Sequence, residues 1–302
     1  MPLNSVNTNI AAQVALQAYD ATTSALQVTR KQISTGYRFS DATDDGAAFA
    51  IAQRLRGNVS ALTAVNQQLG NAKGLVGTAL SGLTAITNSL GSAKSLLVAI
   101  GDASVSQGQR DQYVASYKAL VRRVADTTDG ATYNGQSLLG STAGAVAGSS
   151  TQVLYNDTGA SGTVSAEDTS GLANTLASFI GSTFTRTAAG VDSFGPISAG
   201  ADQTSAATAL ASTTGATAFV TAQAGVLDQL NQAGTDSNYL DATISANSRQ
   251  IDSLNAGLGA LVDADLGKES ATLQALQIRQ QLTTQSLSLA NQSPTALLRL
   301  FS

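Results

Sequence analysis

Between residues 47 and 105 the hydrophobic positions recur at a seven-residue interval. Leu55, Leu62, Leu69, Val76, Leu83, Leu90 and Leu97 occupy every seventh place without a gap. Asn58, Val65, Ala72, Ala79, Ile86, Ala93 and Ile100 follow three places after each. An alternation of threes and fours held this long predicts one long helix with a narrow apolar seam, as in a coiled coil. A second stripe steps the same way through Phe219, Gln223, Val226, Leu230, Ala233, Ser237, Leu240, Ile244, Asn247, Ile251, Leu254, Leu258 and Leu261. Two long helices that each need a partner are satisfied most economically by each other. Their seams place Leu55, Leu62, Leu69, Leu83, Leu90 and Leu97 in a bundle core with Leu240, Ile244, Ile251, Leu254 and Leu258. Tyr113, Tyr117, Leu120 and Val124 predict a shorter third helix, broken by the polar run at 126–130.

The two ends of the chain carry two stripes each. Near the start, Ala11, Val14, Ala18, Ala21, Ala25 and Val28 form one narrow line, and Ala12, Tyr19, Leu26 and Ile33 form another. Near the end, Ala275, Leu282, Leu289 and Ala296 keep heptad spacing, while Leu266, Leu273, Leu276, Leu287 and Ala290 mark a different face. A helix with two apolar faces needs partners on two sides. One face suits the opposite terminus, and the other is left for a different molecule. No charged residue precedes Asp20, and none lies between Gln280 and Leu298. Chain ends are usually polar and frayed, so these ends look made for burial.

Gly57, Gly70, Gly74, Gly77, Gly82 and Gly91 interrupt the first long stripe. Each costs a helix interior roughly 1 kcal/mol relative to Ala. Burial of each Leu contributes about 1.5–3 kcal/mol, so this helix is expected to be stable only when packed, with small residues admitting close neighbours. Residues 140–202 differ: they are rich in Gly, Ser, Thr and Ala, with no long stripe. The stretch 151–165 predicts two short strands around an Asn-Asp-Thr-Gly turn, and 177–187 a further strand. Pro294 is expected to kink the last helix or to start a final turn.

Composition narrows the chemistry. The 302 residues include no His and no Cys. That removes the usual zinc sites, Cys nucleophiles and Ser-His-Asp triads, and any disulfide. Catalytic, cofactor and metal sites are all expected to be absent. The net charge is −4 with no basic run, which argues against nucleic-acid binding. No basic leader precedes an apolar core at the start, so a secretory signal peptide is not expected. Nor does any run reach the ~18 consecutive apolar residues of a membrane span. Paired carboxylates at Asp263 and Asp265 look like a Ca²⁺ loop, but the twelfth position is Gln274 and Gly is misplaced, so a helix cap is expected instead.

The densest signature is ISTGYRFSDATDDGAAFAIAQRLRG, residues 33–57. Gly36 suits the position after a helix end. A polar connector follows; Gly36, Arg38, Asp44 and Asp45 are expected to form a helix-cap signature, with Asp44 or Asp45 capping the next helix. These residues resemble the N-terminal signature of bacterial flagellin: Ser34-Thr35-Gly36, Arg38, Ala42, Asp44-Asp45, Ala50-Ile51-Ala52 and Leu55-Arg56. The opening NTNIAAQVALQ, the stretch ATYNGQSLL (131–139) and the C-terminal segment from Leu261 are similar to flagellins of the alphaproteobacterial type. The Gly of DDGAAFAIA stands two positions earlier than in many relatives. The resemblance covers about 1–140 and 240–302.

The expected fold is mainly α: a long antiparallel helical coiled-coil bundle with paired terminal helices and a small β-rich insert. The resemblance implies three regions. Residues 1–45 and 262–302 would form the terminal helical pair of a filament's inner core. Residues 46–140 and 203–261 would form the outer-core bundle with its hairpin, and 141–202 a variable, solvent-facing insert. It implies a filament interface at Val6, Ile10, Val14, Leu26, Ile33, Leu273, Leu282, Leu289, Leu297, Leu300 and Phe301. It implies a structural subunit that self-assembles outside the cell for swimming. It further implies unfolded passage through the flagellar type III channel, and as partners an export chaperone and apparatus, hook-associated proteins and cap proteins. Two alternatives share the scaffold: a hook–filament junction protein, and a glycan-binding surface protein using 141–202.

Overall fold

The structure, a computed structural model, describes residues 9–198, 200–212 and 218–298, with side chains through Gln292. The elements run α1 (Ile10–Thr35), α2 (Gly46–Gly101), α3 (Gln107–Gly130), β1 (Thr151–Leu154), β2 (Ser161–Val164) and α4 (Leu172–Ser178). They continue with β3 (Phe184–Arg186), β4 (Asp192–Phe194), α5 (Ala201–Ala211), α6 (Phe219–Val262) and α7 (Leu266–Leu298). The fold is mainly helical, with two small hairpins. Two compact units divide it: residues 1–59 with 252–302, and residues 60–251. The divisions fall inside α2 and α6, away from the boundaries at 45 and 262 that the sequence suggests.

In the larger unit the heptad seam of α2 is buried from Leu62 to Ile100. Across it lies α6, antiparallel: Lys73 Nζ reaches Asp241 at 2.5 Å, and Asn66 Nδ2 reaches Ser248 Oγ at 3.4 Å. Leu240 is buried, whereas Ile244 and Ile251 are half-buried. By length and composition alone α2 could span a membrane; here its apolar line is buried inside protein. The third helix places Tyr117, Val121 and Val124 in the same core. It does not break at 126–130 but runs to Gly130, because Thr128 packs inside and bonds Thr169 (Oγ1–Oγ1 3.1 Å). Of the glycines in α2, a Cβ on Gly74 would strike the Tyr133 ring, and one on Gly82 would meet Leu139 and Ala131. Gly57, Gly70, Gly77 and Gly91 have open space, so close packing accounts for only two of the six.

The insert is part of this unit, not a separate body. β1 and β2 pair antiparallel, with Thr151 opposite Val164. Their turn is held by Asn156 Oδ1, which accepts from the Thr158 and Ala160 amides at 3.2 and 2.8 Å. The strand expected over 177–187 shrinks to β3, paired with β4. The residues before it form α4, because Ala173, Leu176 and Ala177 recur at helical spacing and are buried. Tyr117 donates to the Leu176 carbonyl at 3.0 Å, and Phe179 meets Phe219 with centroids 5.9 Å apart. Arg186, almost fully buried, bonds Asp126, Asp129 and Asp192 at 2.7, 2.9 and 2.5 Å. One guanidinium thus ties the β3–β4 hairpin to the end of α3.

In the smaller unit α1 and α7 pack as an antiparallel pair. Leu55, Leu254 and Leu258, expected in the bundle core, belong here and are only half-buried. α7 begins on Asp265, whose Oδ1 accepts from the amides of Gly267 and Lys268 at 3.0 and 3.1 Å. The carboxylate is a cap, as the Ca²⁺-loop comparison predicts. The helix continues through Pro294 to Leu298 and does not end at Ser293.

Candidate assembly interface

The α1–α7 pair is pinned at both ends. Asn9 caps α1 by accepting from the Ala12 amide at 3.0 Å, and its Nδ2 donates to the Ala290 carbonyl at 2.8 Å. Gln280 reaches Thr23 at 3.5 Å midway. At the other end Gly36 takes φ +72° and returns its amide to the Gln32 carbonyl at 2.8 Å. The left-handed turn needs Gly there. The Ala264 amide then donates to the Gly36 carbonyl at 2.9 Å, closing the pair.

The connector 37–45 is folded by charge. Arg38 donates from its backbone to the Val262 carbonyl and from its guanidinium to the Leu261 carbonyl, both at 2.6 Å. It therefore caps the C-terminal end of α6. Asp45 caps α2, accepting from the Ala47 and Ala48 amides at 3.0 and 2.9 Å. Asp44 is not a helix cap. Its carboxylate accepts from Lys31 at 2.9 Å and from the Ser40 amide at 3.0 Å. Lys31 also pairs with Asp41 at 2.5 Å. Lys31 holds both carboxyl groups below their usual range, and they raise its ammonium in return. Sequence spacing does not reveal Lys31 or the Arg38 contact, because the partners of Arg38 lie more than 220 residues away.

Only one of the two stripes on each terminal helix is covered. On α1 the buried line is Thr22, Leu26 and Thr29. On α7 the covered line runs through Leu273, Leu276, Gln280 and Leu287, all half-buried. Leu26 is 2% exposed. It is a contact within the chain, not an interface residue as the sequence suggests, since its surface is already spent on α7. Ile33 and Leu273 sit half-buried at the edge of the same seam.

The other stripes face outward. Val14 is 60% exposed and Val28 52%, with Ile278 at 59%, Leu282 at 57% and Leu289 at 71%. Ile10 is exposed as well. A helix turns about 100° per residue, so the outward residues lie about 90–130° from the buried line on α1 and about 150–170° from the covered line on α7. Away from the shared seam α1 thus carries a shallow line of Val and Ala, and α7 a ridge of Leu and Ile. Ile278 was missing from the sequence-derived set, although its spacing from Ala275 and Leu282 marks it. Val6, Leu297, Leu300 and Phe301 lie outside the described residues. An exposed apolar surface of this extent marks an interaction site rather than ordinary surface. No cluster of His, Cys, Asp or Glu fit for a metal lies among the described residues.

Comparison with known proteins meets this geometry. Residues 6–143 match the family model described as the bacterial flagellin N-terminal helical region, and 216–301 the bacterial flagellin C-terminal helical region. Flagellin FljK of Caulobacter vibrioides is 34% identical, over the whole of both chains. A flagellin of Brucella melitensis is 34% identical over 98% of this chain and 99% of its own. Flagellin C of Rhizobium meliloti is 31% identical over 99% of each. With paired terminal helices, a buried heptad bundle and these full-length relatives, the chain belongs to the bacterial flagellin family.

Proposed function

We propose that copies of this chain polymerise into a flagellar filament through the outward apolar faces of α1 and α7. The coarser part follows from family membership: a structural subunit of the extracellular flagellar filament, assembling with itself and serving motility. The finer part rests on one observation. Val14, Val28, Ile278, Leu282 and Leu289 are large, apolar and exposed on the faces of α1 and α7 turned away from their filled seam. Burying each such side chain stabilises by roughly 1.5–3 kcal/mol, so lateral contact between copies is favourable. Ile10 extends the face, and Val6, Leu297, Leu300 and Phe301 are assigned to it from sequence.

In this reading 1–45 and 262–302 form the inner core, 46–140 and 203–261 the next shell, and 141–202 faces solvent. The export chaperone, export apparatus, cap and hook-associated proteins are its partners before and during assembly, and no catalysis is needed. Removing residues 280–302 tests it, because Leu282 and Leu289 go while α2 and α6 stay intact. The truncated chain is expected to be a soluble, still largely helical monomer. Negative-stain microscopy after seeding should find filaments for the full chain and none for the truncation. Filaments at normal yield from the truncation would refute the assignment.

A further inference from the structure

The segment joining β2 to α4, residues 165–169, is a strap drawn between two walls. On one side the Glu167 and Thr169 amides donate to the Leu138 and Leu139 carbonyls at 2.8 and 2.9 Å. On the other lies α6. Gln229 Nε2 donates to the Asp168 carbonyl at 2.8 Å, and the Ser165 amide reaches Asp236 Oδ2 at 3.4 Å. The β1–β2 hairpin just before the strap leans on the same helix. Asn247 Nδ2 donates to the Tyr155 carbonyl at 2.9 Å, and the Tyr155 and Tyr239 rings meet edge to face with centroids 5.1 Å apart. Burial alternates along the strap, with Glu167 and Thr169 inside and Asp168 exposed.

The two inward side chains differ. The Thr169 hydroxyl is satisfied by Thr128 at 3.1 Å and by the Leu139 carbonyl at 3.3 Å. Glu167, only 3% exposed, leaves its Oε1 without a partner. Among the described residues the charge that bears on it is no cation but the Asp236 carboxylate. That carboxylate takes its own hydrogen bonds from the Ser165 amide and from Gln232 Nε2, the latter at 2.8 Å. The other ionisable groups at this seam are Asp168 on the strap itself and Tyr155, which feels Asp236 and packs on Tyr239. None of them offers a positive charge. An ionised carboxylate buried without a partner and opposite a like charge is unfavourable, and the neutral acid is the form that fits. Burial and Asp236 together raise the Glu167 pKa to about 7, so the change of form falls near neutral pH. Once ionised, the group is stable only in water. The strap yields on its α6 side, where one of its two bonds is the long one to Asp236 itself.

We propose that Glu167 is a proton-operated latch: as the neutral acid it seats the strap 165–169 and the β1–β2 hairpin on α6, and on ionising it releases them. The device is independent of polymerisation and gives the insert a response to pH. Hydrogen–deuterium exchange of the full chain, kept unpolymerised, and of Glu167→Gln tests it at pH 5 and pH 8. Parent and variant are compared at one pH at a time, so that intrinsic exchange rates cancel. At pH 8 the strap amides are expected to exchange about a hundredfold faster in the parent than in the variant, and at pH 5 within about fivefold of it. In the parent at pH 8 they should also exchange far faster than the amides around Leu83, because the strap opens while the bundle stays folded. Equal rates in parent and variant at pH 8 overturn the latch. So does strap protection equal to that of the bundle core at pH 8, since the strap then leaves only when the whole unit unfolds.

Discussion

Glu167 is buried, and its Oε1 has no hydrogen-bond partner. Burial first, and the Asp236 carboxylate second, push its pKa from 4.5 up to about 7. The folded state therefore binds this proton more tightly than the unfolded chain does. Its stabilising effect is complete below about pH 4.5 and is lost as the pH climbs to about 7. Glu167→Gln keeps the shape and cannot ionise. Thermal denaturation should show the variant more stable than the parent at pH 8, by about 3 kcal/mol, and equal to it at pH 4. Parallel pH profiles would show that Glu167 is not shifted. Arg186 poses the opposite case. It holds the Asp192 carboxyl below its usual range, and it does the same for Asp129 with Thr142 and Ser141, although burial pushes Asp129 upward. Those two contribute stability above the ordinary carboxylate range and lose it as the pH falls through their lowered values. Arg186→Met leaves three carboxylates around an empty centre. A loss of about 3 kcal/mol is expected, with faster amide exchange confined to β3, β4 and the end of α3. Unchanged exchange there would show that the hairpin does not depend on this pair.

At the scale of elements, burial separates two leucines that the sequence presents as alike. Leu83 is fully buried in the α2 seam, and Leu282 is exposed on α7. Leu83→Asp puts an unpaired charge into packed apolar surroundings, which costs several kcal/mol. The thermal midpoint is expected to fall by roughly 10 °C. Leu282→Asp should leave the midpoint of the monomer within about 2 °C and suppress polymerisation. Calorimetry with light scattering checks both, and equal midpoints for the two variants would contradict the division. The seams themselves were legible in the sequence because a seven-residue repeat is local and redundant. Loss of one position, such as Asn58, does not hide it. Both stripes on α1 were equally legible, but spacing alone cannot say which faces α7; Leu26 was accordingly assigned outward when it is inside. The Asp45 cap and the Gly36 turn were legible because they are satisfied within three or four residues. The partners of Arg38, which the sequence marks only as part of a helix-cap signature, and of Arg186 were not, because they are distant in sequence. α4 was hidden by its seven residues, too few for a period to stand out beside Phe179 and Ile180.

At the scale of the whole molecule, an uncharged pair of chain ends, the absence of His and Cys, and bare Val, Ile and Leu on both terminal helices point the same way. The chemistry of this protein is burial against copies of itself. In the proposed assembly its terminal helices, whose apolar faces would be wasted surface in a monomer, are the working surface of a polymer. The connector at 36–45 keeps that surface in register by capping three helix ends with Gly36, Arg38 and Asp45. An electron cryo-microscopy reconstruction of filaments grown from the full chain tests this most directly. The account predicts that Val14, Ile278, Leu282 and Leu289 are buried against neighbouring copies and that the hairpins of 151–194 face solvent. Filaments in which those four side chains remain open to water would contradict it.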